Sequence, residues 1–121
     1  MSGLERDAWQ AELAQIARAL ADPARPLDSL IGETGKLRAF VERHSQLSME
    51  ASDSMNEGES TLASGWAISP VQAALCAREP LRSAAFIQGL AAAIHAASTP
   101  QRPVSVLDAG CGAFALVALP L

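Results

Sequence analysis

The feature that most constrains the fold lies near the C-terminal end, where an apolar run beginning at Val104 reads Val-Ser-Val-Leu-Asp-Ala-Gly-Cys-Gly. Residues 104–107 are mostly β-branched or aliphatic, which predicts a short buried strand. Gly110 and Gly112 then allow a sharp turn, and the apolar residues 113–119 can form a helix. Strand, glycine turn and helix together direct backbone amides toward a ligand. The same residues also fit a core strand that ends in an ordinary turn.

This run resembles the first motif of the class I S-adenosylmethionine-dependent methyltransferases, in which a hydrophobic strand ends in an acid and a Gly-x-Gly loop. The resemblance implies that Gly110 and Gly112 lie against the methionine and ribose part of the cofactor. It also implies that Asp108 helps to hold the cofactor's amino group, directly or through water. Cys111, inside the loop, either faces the cofactor or fills space beneath it. Phe114 departs from the pattern, because many members carry a third glycine there.

A second part of the resemblance lies on the preceding helix, where Arg82 is followed four residues later by Phe86. This order is similar to the protein arginine methyltransferase branch, in which such an arginine binds the carboxylate of the cofactor. The resemblance therefore implies that role for Arg82, and a planar guanidinium is chemically suited to it. The alternative is a surface arginine paired with Glu79.

The loop from Gly110 to Ala115 also fits the looser Gly-x-Gly-x-x-Gly/Ala fingerprint of dinucleotide-binding proteins. The start of a nicotinamide- or flavin-dependent oxidoreductase is therefore an alternative function. Another is a non-enzymatic helical module for interaction or dimerisation. No catalytic residue and no methyl acceptor can be named from the sequence.

The length of the chain limits what it can contain by itself. A site of this type needs an acidic residue on the ribose about 20 residues beyond the glycines, and parallel strands need crossovers of about a dozen residues or more. We therefore expect a mainly α chain whose N-terminal helices lead into the first strand and glycine loop of a truncated Rossmann-like domain. Residues 1–65 are interpreted as a helical module with an acidic loop at 48–65, and residues 66–121 as the incomplete cofactor-binding domain.

Periodic apolar residues predict two helices in the N-terminal part of the chain. The first spans residues 4–20, with an inner face formed by Trp9, Leu13, Ile16 and Leu20. The second spans about 34–47 and places His44 near its inner face. We interpret His44 as a partly buried histidine, since no nucleophile or carboxylate is predicted beside it. Glu57 and Glu59 belong to the acidic loop, which is interpreted as disordered, with a lid over the ligand as the alternative.

Two more helices are expected before the glycine motif. Ser69 and Pro70 form a helix start for residues 71–78, and the Glu79-Pro80 pair ends that helix. A strong helix then spans 81–97. Its inner stripe is predicted from apolar residues at a spacing of four: Phe86, Leu90 and Ile94, with Ile87 beside them.

Composition restricts the partners and the compartment. The net charge is −4 and the nine Lys and Arg residues are scattered, so no nucleic-acid surface is expected. The polar start carries no signal core, and no apolar run approaches the roughly 18 residues of a membrane span, so a cytoplasmic chain without membrane contact is expected. Cys76 and Cys111 are expected to be free thiols, and no metal-site spacing is present. A homodimer is compatible with this sequence.

Overall fold

The computed structural model describes residues 2–45, 47 and 58–121 of the chain. In this part the chain is mainly helical and carries one two-stranded sheet, which confirms the predicted helical character. The helices and strands in chain order are α1 (Gly3–Leu20), a 3-10 helix (Leu27–Leu30), α2 (Ile31–Arg43), β1 (Ser60–Leu62), β2 (Gly65–Ala67), α3 (Pro70–Ala74), a second 3-10 helix (Leu75–Arg78) and α4 (Pro80–Ala97).

Helix α1 begins one residue before its predicted start because Ser2 caps it. The Ser2 hydroxyl accepts from the Glu5 backbone N–H at 3.3 Å, and the Glu5 carboxylate accepts from the Ser2 N–H at 2.7 Å. This reciprocal pair is a capping box, and its hydrogen bonds lower the pKa of Glu5. Ile16 and Leu20 are buried as predicted. Trp9 is 38% exposed, so its predicted place as a core anchor is wrong.

Helix α2 starts and ends earlier than predicted, because the first 3-10 helix runs directly into it and His44 is its C-cap. The His44 ring is partly buried between two aromatic rings, with centroid distances of 3.9 Å to Trp9 and 4.6 Å to Phe40. Arg43 forms a salt bridge with Glu12 of α1. Trp9 therefore helps to join α1 to the end of α2 at the surface.

The helix boundaries around Pro80 follow the predicted signals. The Ser69 hydroxyl accepts from the Gln72 backbone N–H at 3.0 Å and caps α3, which continues as the second 3-10 helix. Helix α4 then begins at Pro80. The predicted inner stripe of α4 is wrong at Phe86, which is 57% exposed, whereas Ile87 is completely buried. Small side chains explain the rotation, because Ser83 and Ala84 on the Ile87 face allow α2 and the first 3-10 helix to pack closely.

One hydrophobic core joins both parts of the chain. It includes residues of all four α-helices, the two 3-10 helices and the C-terminal segment: Ile16, Leu20, Leu30, Leu37, Phe40, Val41, Ala74, Ala77, Ala84, Ile87 and Phe114. The predicted division at residue 65 stays a prediction.

A side-chain amide ties the turn after α1 to α4. The Gln88 Nε2 group donates to the backbone carbonyl of Asp22 at 2.9 Å and to that of Arg25 at 3.0 Å. The Asp22 carbonyl also accepts from the Arg25 backbone N–H at 3.2 Å, so the amide adds bonds to a turn that is already closed. The link holds the two helices together beside the apolar core.

The predicted strand at 104–107 is wrong. Residues 103–107 have no regular secondary structure, and Leu107 is 89% exposed. A strand needs a neighbour for its backbone groups, and within the described residues β1 and β2 pair only with each other. The predicted helix at 113–119 is also wrong, because Ala115 has φ +46° and the segment forms turns. The Rossmann-like part of the predicted fold is not confirmed.

A small hairpin replaces the end of the predicted acidic loop. Strands β1 and β2 pair antiparallel, with Thr61 opposite Trp66. Glu59, which precedes β1, is partly buried. Glu57 and the rest of residues 48–57 lie outside the described part, so the predictions for that stretch are not addressed.

Replacing Gly89 with alanine is expected to raise the free energy of unfolding by about 0.5–1 kcal/mol, because glycine is a poor helix former. Gly89 lies inside α4, and a Cβ there would meet no atom within 4 Å. Gly65→Ala is the matched control, since its Cβ would also meet open space but its φ is +146°. Urea denaturation should show stabilisation at 89 and destabilisation at 65; a loss at both positions would contradict the assignment of Gly89 to an unhindered helix.

Candidate functional site

All five predicted site residues line one cavity of about 420 Å³, here called the first cavity. It lies between α3, the second 3-10 helix, the start of α4 and the C-terminal segment. The five residues are Arg82, Asp108, Gly110, Cys111 and Gly112. Most of the remaining wall is apolar, and its larger side chains are Ile68, Phe86, Phe114, Leu116 and Val117. The volume lies within the range of small-molecule sites.

The turn formed by residues 110–112 has the conformation for which glycine is suited. Gly110 has φ +72° and Gly112 has φ +66°, a region that costs an L-residue about 1–2 kcal/mol. A Cβ on Gly110 would meet no atom within 4 Å, whereas one on Gly112 would contact Ala73 at 3.9 Å. The glycines are therefore required by backbone conformation rather than by a steric clash. At Gly110 the backbone is also open to approach by another molecule.

Arg82 lies in the first turn of α4 and is exposed. Its guanidinium carbon is 5.7 Å from the centroid of the Phe86 ring, within the range of a cation–π contact. A hydrogen bond and charge interaction with the Cys76 side chain raise the pKa of Arg82 above its already high usual value. Glu79, the predicted alternative partner, contributes least to this increase. Arg82 therefore presents a permanent positive charge at the cavity.

Asp108 supplies the negative charge of the same cavity. Its Oδ2 atom is buried, and among the described residues it is the one buried side-chain oxygen or nitrogen without a hydrogen-bond partner. Leaving such an atom unpaired costs free energy, and native structures rarely do so without a reason. The carboxylate as a whole lines the cavity and can accept from an ammonium or N–H group of a ligand.

Both cysteines are free thiols, as predicted, and both line the first cavity. The Cys111 thiol lies 3.4 Å from the Gly112 carbonyl oxygen, to which it can donate. Cys76 was not among the predicted site residues. The Glu79-Pro80 break separates it from Arg82 along the chain, and no local spacing signals their contact. Within residues 2–45, 47 and 58–121 there is no group of three or more His, Cys, Asp or Glu residues suited to a metal ion.

Comparisons with protein-family models, with curated proteins and with solved structures give no match for this chain. In the described part of the chain, no helix is both long and apolar enough to cross a membrane. What the site can bind must therefore be argued from its own residues.

The charges at the first cavity are opposite in sign to the two charged groups of an α-amino acid, such as the amino-acid end of S-adenosylmethionine. That end carries a carboxylate and an ammonium, and the cavity offers the Arg82 guanidinium and the unpaired Asp108 oxygen. The apolar wall suits a purine ring. Among the described residues, no second acidic side chain lines the cavity and could bind the ribose hydroxyls.

Proposed function

We propose that this chain binds S-adenosylmethionine in the first cavity and forms the cofactor-binding part of an S-adenosylmethionine-dependent methyltransferase. The observation that carries the proposal is the convergence of Arg82, Asp108 and the turn at residues 110–112 on one cavity. These residues come from two segments separated by most of α4. A guanidinium and an unpaired carboxylate oxygen at one cavity are complementary to an α-amino acid group.

Each residue has a positioning role in this proposal. The planar guanidinium of Arg82 binds the carboxylate through paired N–H donors, and the Asp108 carboxylate accepts from the ammonium. Gly110 leaves the backbone open to the methionine chain. When bound, the cofactor supplies a methyl group activated by its sulfonium for in-line transfer to a nucleophile. The chain's contribution is orientation and proximity rather than acid or base chemistry.

The dinucleotide alternative has weaker support from the same residues. A nicotinamide or flavin dinucleotide presents a diphosphate, which Asp108 would repel. Diphosphate binding also uses the N-terminus of a helix after the glycines, whereas residues 113–119 form turns. The exposed Leu107 is compatible with an interaction module. Such a module gives no role to the two opposite charges, Arg82 and Asp108, that line the first cavity.

Arg82→Gln is expected to weaken S-adenosylmethionine binding by about tenfold or more, because a hydrogen bond to a charged group contributes about 1.5–3 kcal/mol. Isothermal titration calorimetry on the 121-residue chain measures this, with Asp108→Asn tested in parallel. Arg102→Gln is the matched control, since Arg102 is exposed and does not line the first cavity. Its affinity should equal that of the parent chain.

Binding of two fragments of the cofactor, and of the alternative cofactor, is measured in the same way. Methionine carries both charges of the amino-acid end, so its binding should depend on Arg82, whereas adenosine binding should not. Reduced nicotinamide dinucleotide should not bind. A folded parent chain that binds no S-adenosylmethionine, or equal losses in Arg82→Gln and Arg102→Gln, would contradict the proposal.

A further inference from the structure

A second cavity of about 580 Å³, here called the trough, lies along α4 on the other side of Asp108. Its apolar walls come from one face of α4 and from the C-terminal segment. Its main residues are Phe86, Leu90, Val106, Leu107, Val117 and Asp108. The stripe of α4 that sequence periodicity predicted as a core face therefore forms a wall of this open site.

The trough differs from the first cavity in charge. Asp108 lines both cavities, whereas Arg82 lines only the first. Among the described residues that line the trough, Asp108 is the one with a charge. Its Oδ2 atom is the buried oxygen without a partner described above. The trough thus combines a carboxylate with apolar walls, and no cationic side chain lines it among the described residues.

We propose that the trough is a binding site for a hydrophobic amine, an organic ammonium with an apolar body and no carboxylate. The ammonium pairs with the Asp108 carboxylate, and the apolar body covers Leu90 and Val106. The Phe86 ring, 57% exposed, adds aromatic surface to the apolar wall. This inference shares Asp108 with the proposed cofactor site, but it uses neither Arg82 nor the glycine turn.

Three probes of one shape test the charge requirement: 2-phenylethylammonium, the neutral 2-phenylethanol and the anionic 3-phenylpropionate. Their dissociation constants are measured on the 121-residue chain by titration monitored with amide NMR. The ammonium is expected to bind about tenfold more tightly than the alcohol, and the carboxylate most weakly. Asp108→Asn should remove the difference between ammonium and alcohol. Equal affinities of these two probes for the parent chain would overturn the proposal.

Gly89→Leu tests the location. Gly89 lines the trough but not the first cavity, and the space around its missing Cβ is open. A leucine there extends into the trough without disturbing α4, so amine affinity should fall about tenfold or more while S-adenosylmethionine binding stays unchanged. Gly89→Ala is the size control. If Asp108→Asn lowers amine affinity and Gly89→Leu does not, the amine binds in the first cavity and the trough proposal is wrong.

Discussion

Replacing Ile87 with alanine is expected to lower the free energy of unfolding by about 2–5 kcal/mol, the range for truncating a large aliphatic residue in a core. Ile87 is completely buried and belongs to the core that joins α1, α2 and α4. Removing its outer carbons leaves a cavity that the surrounding helices fill only in part. Urea denaturation followed by circular dichroism at 222 nm measures the loss.

Phe86→Ala is the matched comparison, one position away on the same helix. The Phe86 ring is 57% exposed, so its removal should cost about 1 kcal/mol or less despite its greater size. The two substitutions together test the rotation of α4. If Phe86→Ala is the more destabilising change, the stripe predicted from sequence periodicity is the buried one and the observed rotation is wrong.

Gly110→Val is expected to abolish S-adenosylmethionine binding, with a loss of more than about 100-fold. At φ +72° a β-branched residue is strongly disfavoured, so the turn at residues 110–112 must change its path. The valine side chain would also occupy the open space beside Gly110 that the proposed function assigns to the methionine chain. Thermal unfolding with and without the cofactor measures the effect, because a ligand of the native state raises its melting temperature.

Gly32→Val provides the control for introducing the same side chain elsewhere. Gly32 lies in α2, and an added Cβ there would meet no atom within 4 Å. It does not line the first cavity. The cofactor should protect this variant as well as it protects the parent chain. Undiminished protection of Gly110→Val would remove the glycine turn from the proposed site.

Local signals predicted the helix starts at Pro70 and Pro80 well. Ser69 followed by Pro70, and Pro80 after Glu79, act through backbone geometry and capping within a few residues, so they can be recognised in sequence alone. The rotation of α4 could not be predicted in the same way. Phe86 and Ile87 are both apolar, and the choice between them depends on small residues that let α2 approach from elsewhere in the chain.

In the C-terminal segment, the sequence predicted the turn correctly and the strand before it wrongly. Alternate glycines predicted a turn, and the positive φ values of Gly110 and Gly112 confirm it. The strand before it was wrong because strand formation depends on a neighbour that the described chain does not offer. The five predicted site residues line one cavity, and their role in binding stays a prediction. The contact of Cys76 with Arg82 crosses a helix break and had no sequence signal.

The Gln88 link between α4 and the turn after α1 has a consequence for sequence change. Both acceptors are main-chain carbonyls, at Asp22 and Arg25. The contact therefore depends on the backbone path of the turn and does not itself involve the turn's side chains. The Asp22 carboxylate holds the path of the turn by accepting from the Ala24 N–H at 2.9 Å, so exposed side chains of the turn other than Asp22 can change while the placement of α4, and with it of Arg82, is preserved. Chains that kept this architecture would vary at the turn and retain an amide donor on the helix.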